Sequence, residues 1–497
     1  MALPLSAISI VALLFFLVQA WRKMSMSKSK LPPGPLGFPI FGSLHLLVKF
    51  PHQALYQLSK KYGPIMHIRI GQVSAIVVSS PQFAESFLKT HDVVFANRPV
   101  HVSSKYMTYD QKNITLAPYG SYWRNVRKMC TTQLLSKEKI DSFKTMRKQE
   151  LNLLIDYIKE ASSKGTVINL TAKIASLSAD MSCRMVFGKK YEEKEFDERG
   201  FMAVMKEFLR LLSAPNLGDY FPLISPFDIQ GLRSKIEVVS KVFDRFLEKI
   251  IDEHIQFSDE NRTKDLVDIM LELTGTKEAE YLQGRDNVKA IMLDMLIGSM
   301  DTTSTSIDWM LSEIMRHPRV MNKLQMELQD KVGMSRTVEE SDLVNLEYLD
   351  MVIKESLRLH PVAPLLVPHK ATEDTIVDGF LIPKDSQIFI NAWGIGRDPS
   401  VWSDAEKFWP ERFIGTDIDV LGRNFELIPF GSGRRGCAGL QLAMTVSRLV
   451  VAQLLHCFDW KLPNDMLPND LDMTEKVGLV TVREKHLQAI PSYRLQV

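Results

Sequence analysis

Apolar residues recur at helical spacing along most of this chain, and that pattern predicts a mainly α-helical protein. Three shorter stretches instead alternate apolar and polar residues and predict small β-sheets: a hairpin at 64–79 and strands at 375–380 and 387–391. The predicted helices cover residues 81–90, 120–135, 137–162, 170–186, 198–212, 230–257, 265–273, 286–316 and 440–458. Residues 101–117 show no period and predict a surface loop that could fold over a ligand.

The first 21 residues form an apolar run without a charged side chain. About twenty helical residues span a hydrocarbon core of about 30 Å, so this run predicts a transmembrane signal anchor. Basic residues follow between Arg22 and Lys30, and the positive-inside rule places the rest of the chain in the cytosol. We therefore expect an anchor at 1–21, a basic and proline-rich linker at 22–42, and one folded unit at 43–497. The alternative is a cleaved secretory signal, which carries its positive charge before the apolar core.

The composition excludes some classes of function. A net charge of +2 argues against a nucleic acid as partner, and 45% hydrophobic residues allow a large core. The four cysteines have no paired spacing, so we expect a reducing compartment and no cysteine-rich zinc site. No glycine-rich dinucleotide fingerprint follows a predicted strand, so we expect no directly bound NADPH.

One glycine-rich run, residues 430–439, precedes the last predicted helix and contains Cys437. Gly431, Gly433 and Gly436 predict a tight loop, because glycine adopts positive φ and lets a flat partner approach the backbone closely. The loop delivers Cys437 to a helix start, where unpaired N–H groups favour a thiolate that can ligate a metal. From these residues alone, the alternative is a glycine-rich turn with an inert buried cysteine.

The run fits the pattern F-x-x-G-x-R-x-C-x-G and resembles the haem-thiolate loop of cytochromes P450. The resemblance implies a P450 fold behind the N-terminal membrane helix, with residues 43–497 as the haem-thiolate catalytic domain. It implies that Cys437 is the axial ligand of the iron in haem b, that Arg435 binds a haem propionate, and that Phe430 shields the sulfur.

Trp123 and Arg127 lie one turn apart on one predicted helix face, where an indole N–H and a guanidinium could clamp a carboxylate. From the residues alone, an arginine that packs on a core tryptophan is the better interpretation. The pair resembles the W-x-x-x-R of the P450 C-helix, which implies that both side chains hold a haem propionate. His369 is a further candidate for a propionate contact.

The predicted helix at 286–316 has small and polar residues in its middle, where a core helix usually has neither. Gly298 and Ser299 leave room for a bulky planar group, and the Thr302 hydroxyl can bond a carbonyl one turn back and hold a water. The alternative is an exposed polar stripe. The stretch resembles the P450 I-helix motif, with Ser299 where glycine or alanine is usual. The resemblance implies that Asp301 and Thr302 support proton delivery during dioxygen activation.

Glu355 and Arg358 share a predicted helix face and precede Arg412 and the cysteine run. Their order matches the P450 motifs E-x-x-R and P-E-R-F followed by the haem loop. The resemblance implies that Glu355, Arg358 and Arg412 form a buried structural charge network behind the haem. The residues of these motifs, together with the proline-rich hinge at 31–39, most resemble those of the plant microsomal A-type group.

The resemblance implies a monooxygenase that hydroxylates or otherwise oxidises a small lipophilic plant metabolite, such as a terpenoid or an aromatic compound. Electrons would come from NADPH through cytochrome P450 reductase, with cytochrome b5 as a further partner. The expected location is the endoplasmic reticulum membrane, with a single span and the catalytic domain on the cytosolic face. The predicted substrate pocket consists of the apolar residues Met107, Phe208, Leu211, Leu212, Met295, Met300, Val362, Leu365, Leu366, Leu479 and Val480.

Two other classes of function stay open. A haem-thiolate isomerase or dehydratase acts without external electrons, but such enzymes usually lack the acid and alcohol pair seen in Asp301 and Thr302. A membrane-anchored scaffold without catalysis would not need Cys437. NADPH consumption with a reductase separates an oxygenase from an isomerase, and a haem spectrum excludes the scaffold.

Overall fold

A computed structural model of the protein describes residues 31–47, 49–190, 200–256, 263–282 and 284–496. The predicted anchor at 1–21 and the basic part of the linker lie outside the described residues. Among the described residues helices dominate and the strands are short, as the hydrophobic pattern predicts.

Each of the nine predicted helical ranges contains a helix close to the predicted bounds, because apolar periodicity and helix-end signals agree there. The bounds of the described helices are α1 Pro51–Tyr62, α2 Pro81–Glu85, α3 Asp92–Phe95, α4 Val102–Met107, α5 Ser121–Met129, α6 Lys137–Ser142, α7 Lys144–Lys164, α8 Leu170–Phe187, α9 Phe201–Ser213, α10 Leu217–Tyr220, α11 Leu232–Gln256, α12 Leu266–Leu273, α13 Arg285–Arg316, α14 Pro318–Val332, α15 Glu347–Leu359, α16 Ala392–Ile395 and α17 Leu440–Cys457. The sequence interpretation missed other helices, including α1 and α14. Single π-helical stretches extend α2 over Ser86–Thr90 and α5 over Cys130–Leu134.

The strands of the described chain pair into small sheets. Their bounds are β1 Ile65–Ile70, β2 Val73–Val78, β3 Ile168–Asn169, β4 His369–Lys370, β5 Thr375–Val377, β6 Phe380–Ile382, β7 Gln387–Ile390, β8 Phe458–Lys461, β9 Glu475–Lys476, β10 Val482–Arg483 and β11 Gln488–Tyr493. The largest sheet has the order β1-β2-β7-β4, in which β7 runs parallel to β2 and the other neighbours are antiparallel. The predicted hairpin at 64–79 is the pair of β1 and β2.

The prediction of a surface loop at 101–117 is wrong. Helix α4 occupies its first part, and Asn113 and Ala117 are buried. The segment is polar because its polar groups bond inside the protein: the Asn113 side-chain amide donates to Asp294 on α13 at 2.7 Å. Mixed polarity therefore indicated buried hydrogen bonding here and not solvent exposure.

Two predicted elements are divided by local backbone breaks. The strand at 375–380 ends early, because Asp378 and Gly379 have φ of 46° and 82° and turn β5 back into β6. The helix at 137–162 is interrupted at Phe143, whose φ of −92° and ψ of 7° end α6 before α7 begins. Neither break changes the hydrophobic period, so the period alone could not reveal it.

Helix α13 crosses the core and packs against α8, α15 and α17. Its side chains from Thr303 to Met315 are all buried. In the described part of the chain, only α17 is long and apolar enough to span a membrane, and 67% of that stretch is buried inside the protein. Helix α17 is therefore a core helix, and it brings the cysteine run against α13.

A buried charge network lies between α15 and the loop before the cysteine run. Glu355 accepts hydrogen bonds from Arg358 at 2.7 and 2.8 Å and from Arg412 at 2.9 Å. Both partners of the Glu355 and Arg358 ion pair are inaccessible to solvent. Arg358 also donates to the Gly396 and Ala405 carbonyls, so the network anchors the irregular chain between α16 and the cysteine run.

We predict that Glu355→Gln lowers the free energy of unfolding by about 3 kcal/mol or more, because it leaves two buried guanidinium groups without their anion. The measurement is urea-induced unfolding followed by circular dichroism. Glu347→Gln, at an exposed position in the first turn of the same helix, is the control and should change stability by less than about 0.5 kcal/mol. Equal losses in the two variants would contradict a special role for the network.

Candidate active site

A cavity of about 320 Å³ lies between the middle of α13 and the loop before α17. Helix α13 contributes Gly298 and Thr302 to the wall, the loop contributes Cys437, and α5 contributes Trp123 and Arg127. Three motifs that are distant in sequence therefore share one cavity. Enclosed cavities that join polar groups with apolar walls are the usual place for ligands, so this one is the candidate active site.

The cysteine loop is tight, as predicted, but not every one of its glycines has the predicted positive φ. Gly433 has φ of 66°, and a Cβ there would lie 2.2 Å from the Leu88 carbonyl oxygen. Gly436 has φ of −55°, so positive φ is a wrong prediction for this residue. The Cys437 N–H closes the loop by donating to the Phe430 carbonyl at 2.9 Å. Backbone contacts thus fix where the sulfur meets the cavity.

The accessible surface of Cys437 faces the cavity, and protein surrounds the rest of the residue. Burial raises the pKa of the Cys437 thiol, while the Gly439 N–H and the Arg127 guanidinium act in the opposite direction. The Gly439 N–H thus acts in the predicted direction, toward a thiolate, but desolvation is the larger influence on this pKa. A thiolate at this position needs a stronger positive partner, and a metal ion is one.

Arg435 ties the cysteine loop to the opposite side of the cavity. Its guanidinium stacks on the Trp123 ring at 4.2 Å from the ring centroid. It also donates to the carbonyl oxygens of Ala96, Ile114 and Ala117. Burial lowers the pKa of Arg435 to about 10, which still leaves the group charged at neutral pH.

The predicted clamp of Trp123 and Arg127 is only partly formed. The indole N–H of Trp123 donates to the Ile114 carbonyl at 2.8 Å, so it supports the cavity wall. Arg127 lines the cavity, and burial lowers its pKa while the nearby Cys437 raises it. Of this pair, Arg127 is the group placed to meet an anion.

The sequence interpretation missed Arg98, which is buried and lines the cavity. Its guanidinium donates to the Thr115 and Pro368 carbonyls at 3.1 and 2.8 Å. Burial lowers its pKa, and the charge of Arg435 adds to the shift. Arg98 lies in a short irregular stretch without a period, so no sequence pattern marked it.

His369 also lines the cavity, where its Nδ1 bonds the Phe95 carbonyl at 2.9 Å. Burial holds the pKa of His369 well below its usual value, and the charges of Arg98 and Arg435 lower it further. The ring is therefore neutral at physiological pH. With Nδ1 as the donor to Phe95, Nε2 is left as a hydrogen-bond acceptor, which suits a protonated partner better than a carboxylate.

The cavity fits a flat, anionic, metal-binding group. Three guanidinium groups face it, those of Arg98, Arg127 and Arg435. Among the described residues that line it, Asp294 supplies the one carboxylate. A Cβ on Gly298 or Gly439 would meet no atom within 4 Å, so both glycines border open space. Haem has carboxylates at its edge, a flat ring and a metal ion. The arginines suit the carboxylates, the open space suits the flat ring, and the Cys437 thiol suits the metal.

The two residues predicted to transfer protons, Asp301 and Thr302, are adjacent but face different sides of α13. Thr302 lines the cavity, and its hydroxyl donates to the Gly298 carbonyl one turn back. Asp301 does not line the cavity. Burial raises the pKa of its carboxyl, and Lys206 on α9 acts in the opposite direction. A proton would therefore pass around the helix to go from one group to the other.

Ser299 replaces the usual small apolar residue with a packing hydroxyl. That hydroxyl bonds the Ser182 hydroxyl at 2.7 Å and the Met295 carbonyl at 2.6 Å. Ser178 on α8 donates to the carbonyls of Ser299 and Met300 at 3.1 and 2.8 Å. The departure from the motif thus adds one hydrogen bond between α8 and α13 beside the cavity, the one from Ser299 to Ser182.

Of the eleven apolar residues predicted to form a substrate pocket, Met295, Val362 and Leu366 line the cavity. The other eight do not: Met107, Phe208, Leu211, Leu212, Met300, Leu365, Leu479 and Val480. Phe208, for example, packs against Phe243 on α11 with ring centroids 4.7 Å apart. The prediction is thus confirmed for three residues only, because apolar character marks the buried core as well as a cavity wall and cannot separate the two.

The sequence interpretation also missed the carboxylate in the wall. Asp294 lies on α13 two turns before Thr302, at a spacing of eight that keeps both on one helix face. Burial raises the pKa of Asp294 to about 6, while hydrogen-bond donors of Thr115, Asn113 and Ile114 lower it. The spacing of Asp294, Gly298 and Thr302 was a signal available in the sequence.

The chain was compared with known proteins. Residues 32–488 match the family model described as cytochrome P450. The chain is 50% identical to cytochrome P450 CYP736A12 of Panax ginseng over 473 residues, which cover 94% of each chain. It is 38% identical to premnaspirodiene oxygenase of Hyoscyamus muticus over 483 residues, which cover 96% of this chain and 95% of that one.

A solved structure of a zebra fish cytochrome P450, described with abiraterone, superposes with a TM-score of 0.74 at 26% identity. The match covers 89% of this chain and 99% of that chain. Fold, family model and relatives agree with the cysteine loop, the α13 motif and the buried network. The chain therefore belongs to the cytochrome P450 family, as an oxidoreductase of the plant A-type group whose cofactor is haem iron.

Proposed function

We propose that this enzyme is a monooxygenase that hydroxylates or otherwise oxidises a small lipophilic plant metabolite, a terpenoid or an aromatic compound. The observation that carries the proposal is one cavity that holds both the Cys437 thiol and the Thr302 hydroxyl. The first is a ligand for haem iron and the second is a group that can hold and pass a proton. A haem-thiolate isomerase needs the first of these groups but not the second.

Different residues around the cavity would bind different parts of the cofactor. Cys437 would ligate the iron, and Arg98, Arg127 and Arg435 would meet the propionates through charge-assisted hydrogen bonds. When bound, haem supplies the one-electron chemistry that activates dioxygen, which a thiolate ligand favours. Phe430 lines the cavity beside the cysteine, where its ring would keep water from the sulfur.

Thr302 handles the proton at the cavity wall. Its hydroxyl bonds the Gly298 carbonyl, which weakens the helical hydrogen bond of that carbonyl and leaves room for a water beside it. Gly298 has open space where a Cβ would be, so a water fits there. Asp301 would feed protons from the α9 side of the helix, and burial, which raises its pKa, makes it a better proton donor at neutral pH.

The apolar part of the wall supports a lipophilic substrate. Met295, Val362 and Leu366 line it, and further apolar lining residues include Leu135, Met185 and Met310. The relative from Hyoscyamus muticus is named for oxygenation of premnaspirodiene, and one from Nicotiana tabacum for dihydroxylation of 5-epiaristolochene. Both relatives resemble this chain over nearly its whole length, which supports substrates of comparable size and polarity.

Electrons would reach the site from NADPH through cytochrome P450 reductase, with cytochrome b5 as an accessory donor. Arg124 and Lys128 support a docking surface for such partners, since both are exposed on the helix that carries the buried Trp123. The chain itself would bind no NADPH, because its sequence has no dinucleotide fingerprint.

We further propose that the protein sits on the cytosolic face of the endoplasmic reticulum membrane, with an anchor at 1–21 and the catalytic domain at 43–497. An exposed apolar surface supports this. It is formed by Leu36, Phe38, Ile40, Phe41, Leu223, Phe227 and Ile229. The two segments that form it meet where the Phe41 and Phe221 rings lie 5.9 Å apart, so the linker and the apolar surface can enter one membrane together.

We predict that Cys437→Ala abolishes the thiolate-type absorption band of the ferrous carbon monoxide complex, since no thiolate remains at the iron. The measurement is the difference spectrum of microsomes that contain the variant. Cys457→Ala removes a buried thiol from α17 and should keep the band. If the Cys437 variant kept it, the ligand assignment would be wrong.

We predict that Thr302→Val lowers product formed per NADPH consumed by about tenfold or more, because it removes a positioned proton-transfer group. Thr302→Ser keeps the hydroxyl and should keep most of the coupling. Both ratios are measured with reductase and one accepted substrate, together with the hydrogen peroxide released. An unchanged ratio in the valine variant would mean that Thr302 only packs in the helix.

We predict that a chain of residues 31–497 still associates with vesicles, and that Leu223→Ser with Phe227→Ser weakens this binding by about tenfold, since two large apolar side chains are removed from the interface. The measurement is co-sedimentation with phosphatidylcholine vesicles. Met326→Ser with Val344→Ser removes two equally exposed apolar side chains elsewhere and should have little effect. Equal effects of the two pairs would contradict the proposed orientation.

A further inference from the structure

Asp294 joins α13 to the chain segment that lies between α4 and α5. Its Oδ1 accepts a hydrogen bond from the Asn113 side-chain amide at 2.7 Å. Its Oδ2 accepts one from the Thr115 N–H at 2.9 Å. Asn113 is buried, and its own Oδ1 accepts from the Leu116 N–H at 3.2 Å. One carboxylate therefore holds two positions of the irregular turn at 113–117, Asn113 and Thr115, against the helix that carries Thr302.

The backbone carbonyls of this turn accept hydrogen bonds from two arginines of the cavity, Arg98 and Arg435. The Ile114 carbonyl accepts from Trp123 Nε1 at 2.8 Å and from Arg435 Nη1 at 3.2 Å. The Thr115 carbonyl accepts from Arg98 Nε at 3.1 Å. N–H groups of the turn thus point to the carboxylate on α13, while its carbonyls point to the cationic side of the cavity. The turn is a bridge whose position sets that of the cationic groups.

The backbone before the turn does not hold it in place by itself. Tyr109, Asp110 and Gln111 have φ of 52°, 60° and 60°, a left-handed backbone conformation that residues other than glycine rarely adopt. Such strain persists only where the surrounding contacts impose it. On the side before the turn, the Tyr109 hydroxyl donates to Asp244 on α11 at 3.0 Å. Within the turn, Asp294 provides the corresponding contact through Asn113 and Thr115.

We propose that Asp294 is a positioning residue, which holds residues 113–117 as part of the cavity wall and thereby orients Arg98, Trp123 and Arg435 for the haem edge. The role at the haem edge rests on the proposed cofactor site, whereas the hold on the turn does not. The proposed role of Asp294 is structural: Asn113 and Thr115 each bond one of its oxygens, and no contact with the substrate is assigned to it.

The first measurement is proteolysis of the full-length, haem-loaded enzyme in detergent. Trypsin can cleave after Lys112, directly before the turn, and mass spectrometry detects the new N-terminus at Asn113. Asp294→Asn keeps the shape of the side chain but replaces one acceptor oxygen with a donor that faces a donor. We expect cleavage after Lys112 to be about tenfold faster than in the parent, since hydrogen bonds to a charged group are worth at least a factor of ten. Asp156→Asn, at an exposed position on α7, should leave the rate unchanged.

The second measurement is the rate at which ferric haem passes from the enzyme to apomyoglobin. Misplaced arginines hold the propionates less well, so Asp294→Asn should release haem several-fold faster. Asn113→Ala removes one of the two bonds to Asp294 and also the bond from the Leu116 N–H, so it should increase both rates as well. In the double variant Asn113→Ala with Asp294→Asn, the increases should not multiply, because both changes break the same contact.

The outcomes separate the two levels of the proposal. Faster cleavage with an unchanged rate of haem release overturns the role at the haem edge and keeps the hold on the turn. Unchanged cleavage in Asp294→Asn overturns the proposal as a whole. If Asp294→Asn does not accumulate as folded protein, Asn113→Ala decides alone, and cleavage within twofold of the parent overturns the proposal. Failure of the Cys437 spectrum would refute the cofactor site and leave the cleavage result valid.

Discussion

Buried guanidinium groups that bond backbone carbonyls are the interaction on which the arrangement of this protein depends. Arg435 extends from the cysteine loop to the carbonyls of Ala96, Ile114 and Ala117, and Arg98 to those of Thr115 and Pro368. A charge held away from water is costly unless hydrogen bonds surround it. These contacts lower that cost, and they also join chain segments that have no regular secondary structure in common.

The cost of burying these charges also explains why the cavity suits an anionic cofactor. Burial lowers the pKa of Arg98 and of Arg435, and a neighbouring guanidinium adds to each shift, Arg435 for the first and Arg127 for the second. The protein alone therefore does not fully compensate their charge. Burial also raises the pKa of the Cys437 thiol. A metal bound to the sulfur and carboxylates at the arginines would relieve both costs together. Cofactor binding should therefore contribute to the stability of the folded chain as well as to its chemistry.

Helix α13 connects this cationic side of the cavity to the site of proton handling. Asp294 and Thr302 lie on one face two turns apart, with Gly298 between them, while Ser299 bonds α8 and Asp301 lies near Lys206 on α9. Each of these five small or polar residues, which break the apolar rule for a core helix, has a polar or charged neighbour or an open space beside it. The irregular composition of the helix follows from its use on several faces at once.

The sequence by itself determined nine of the helical ranges, the β1 and β2 hairpin and the order of the motifs, because each depends on local spacing or on a run of adjacent residues. It placed Cys437 in a glycine-rich loop before a helix, and the resemblance of that loop to the haem-thiolate loop implied its role. It also marked Glu355, Arg358 and Arg412 as partners through their order along the chain. Only the tertiary structure decided which apolar residues face the cavity, since helical periodicity is the same for a core face and a cavity wall. Tertiary structure likewise decided the roles of Arg98, Asp294 and residues 101–117. Their partners lie far away in sequence and are mostly backbone carbonyls and N–H groups, which every residue carries and no sequence pattern can mark.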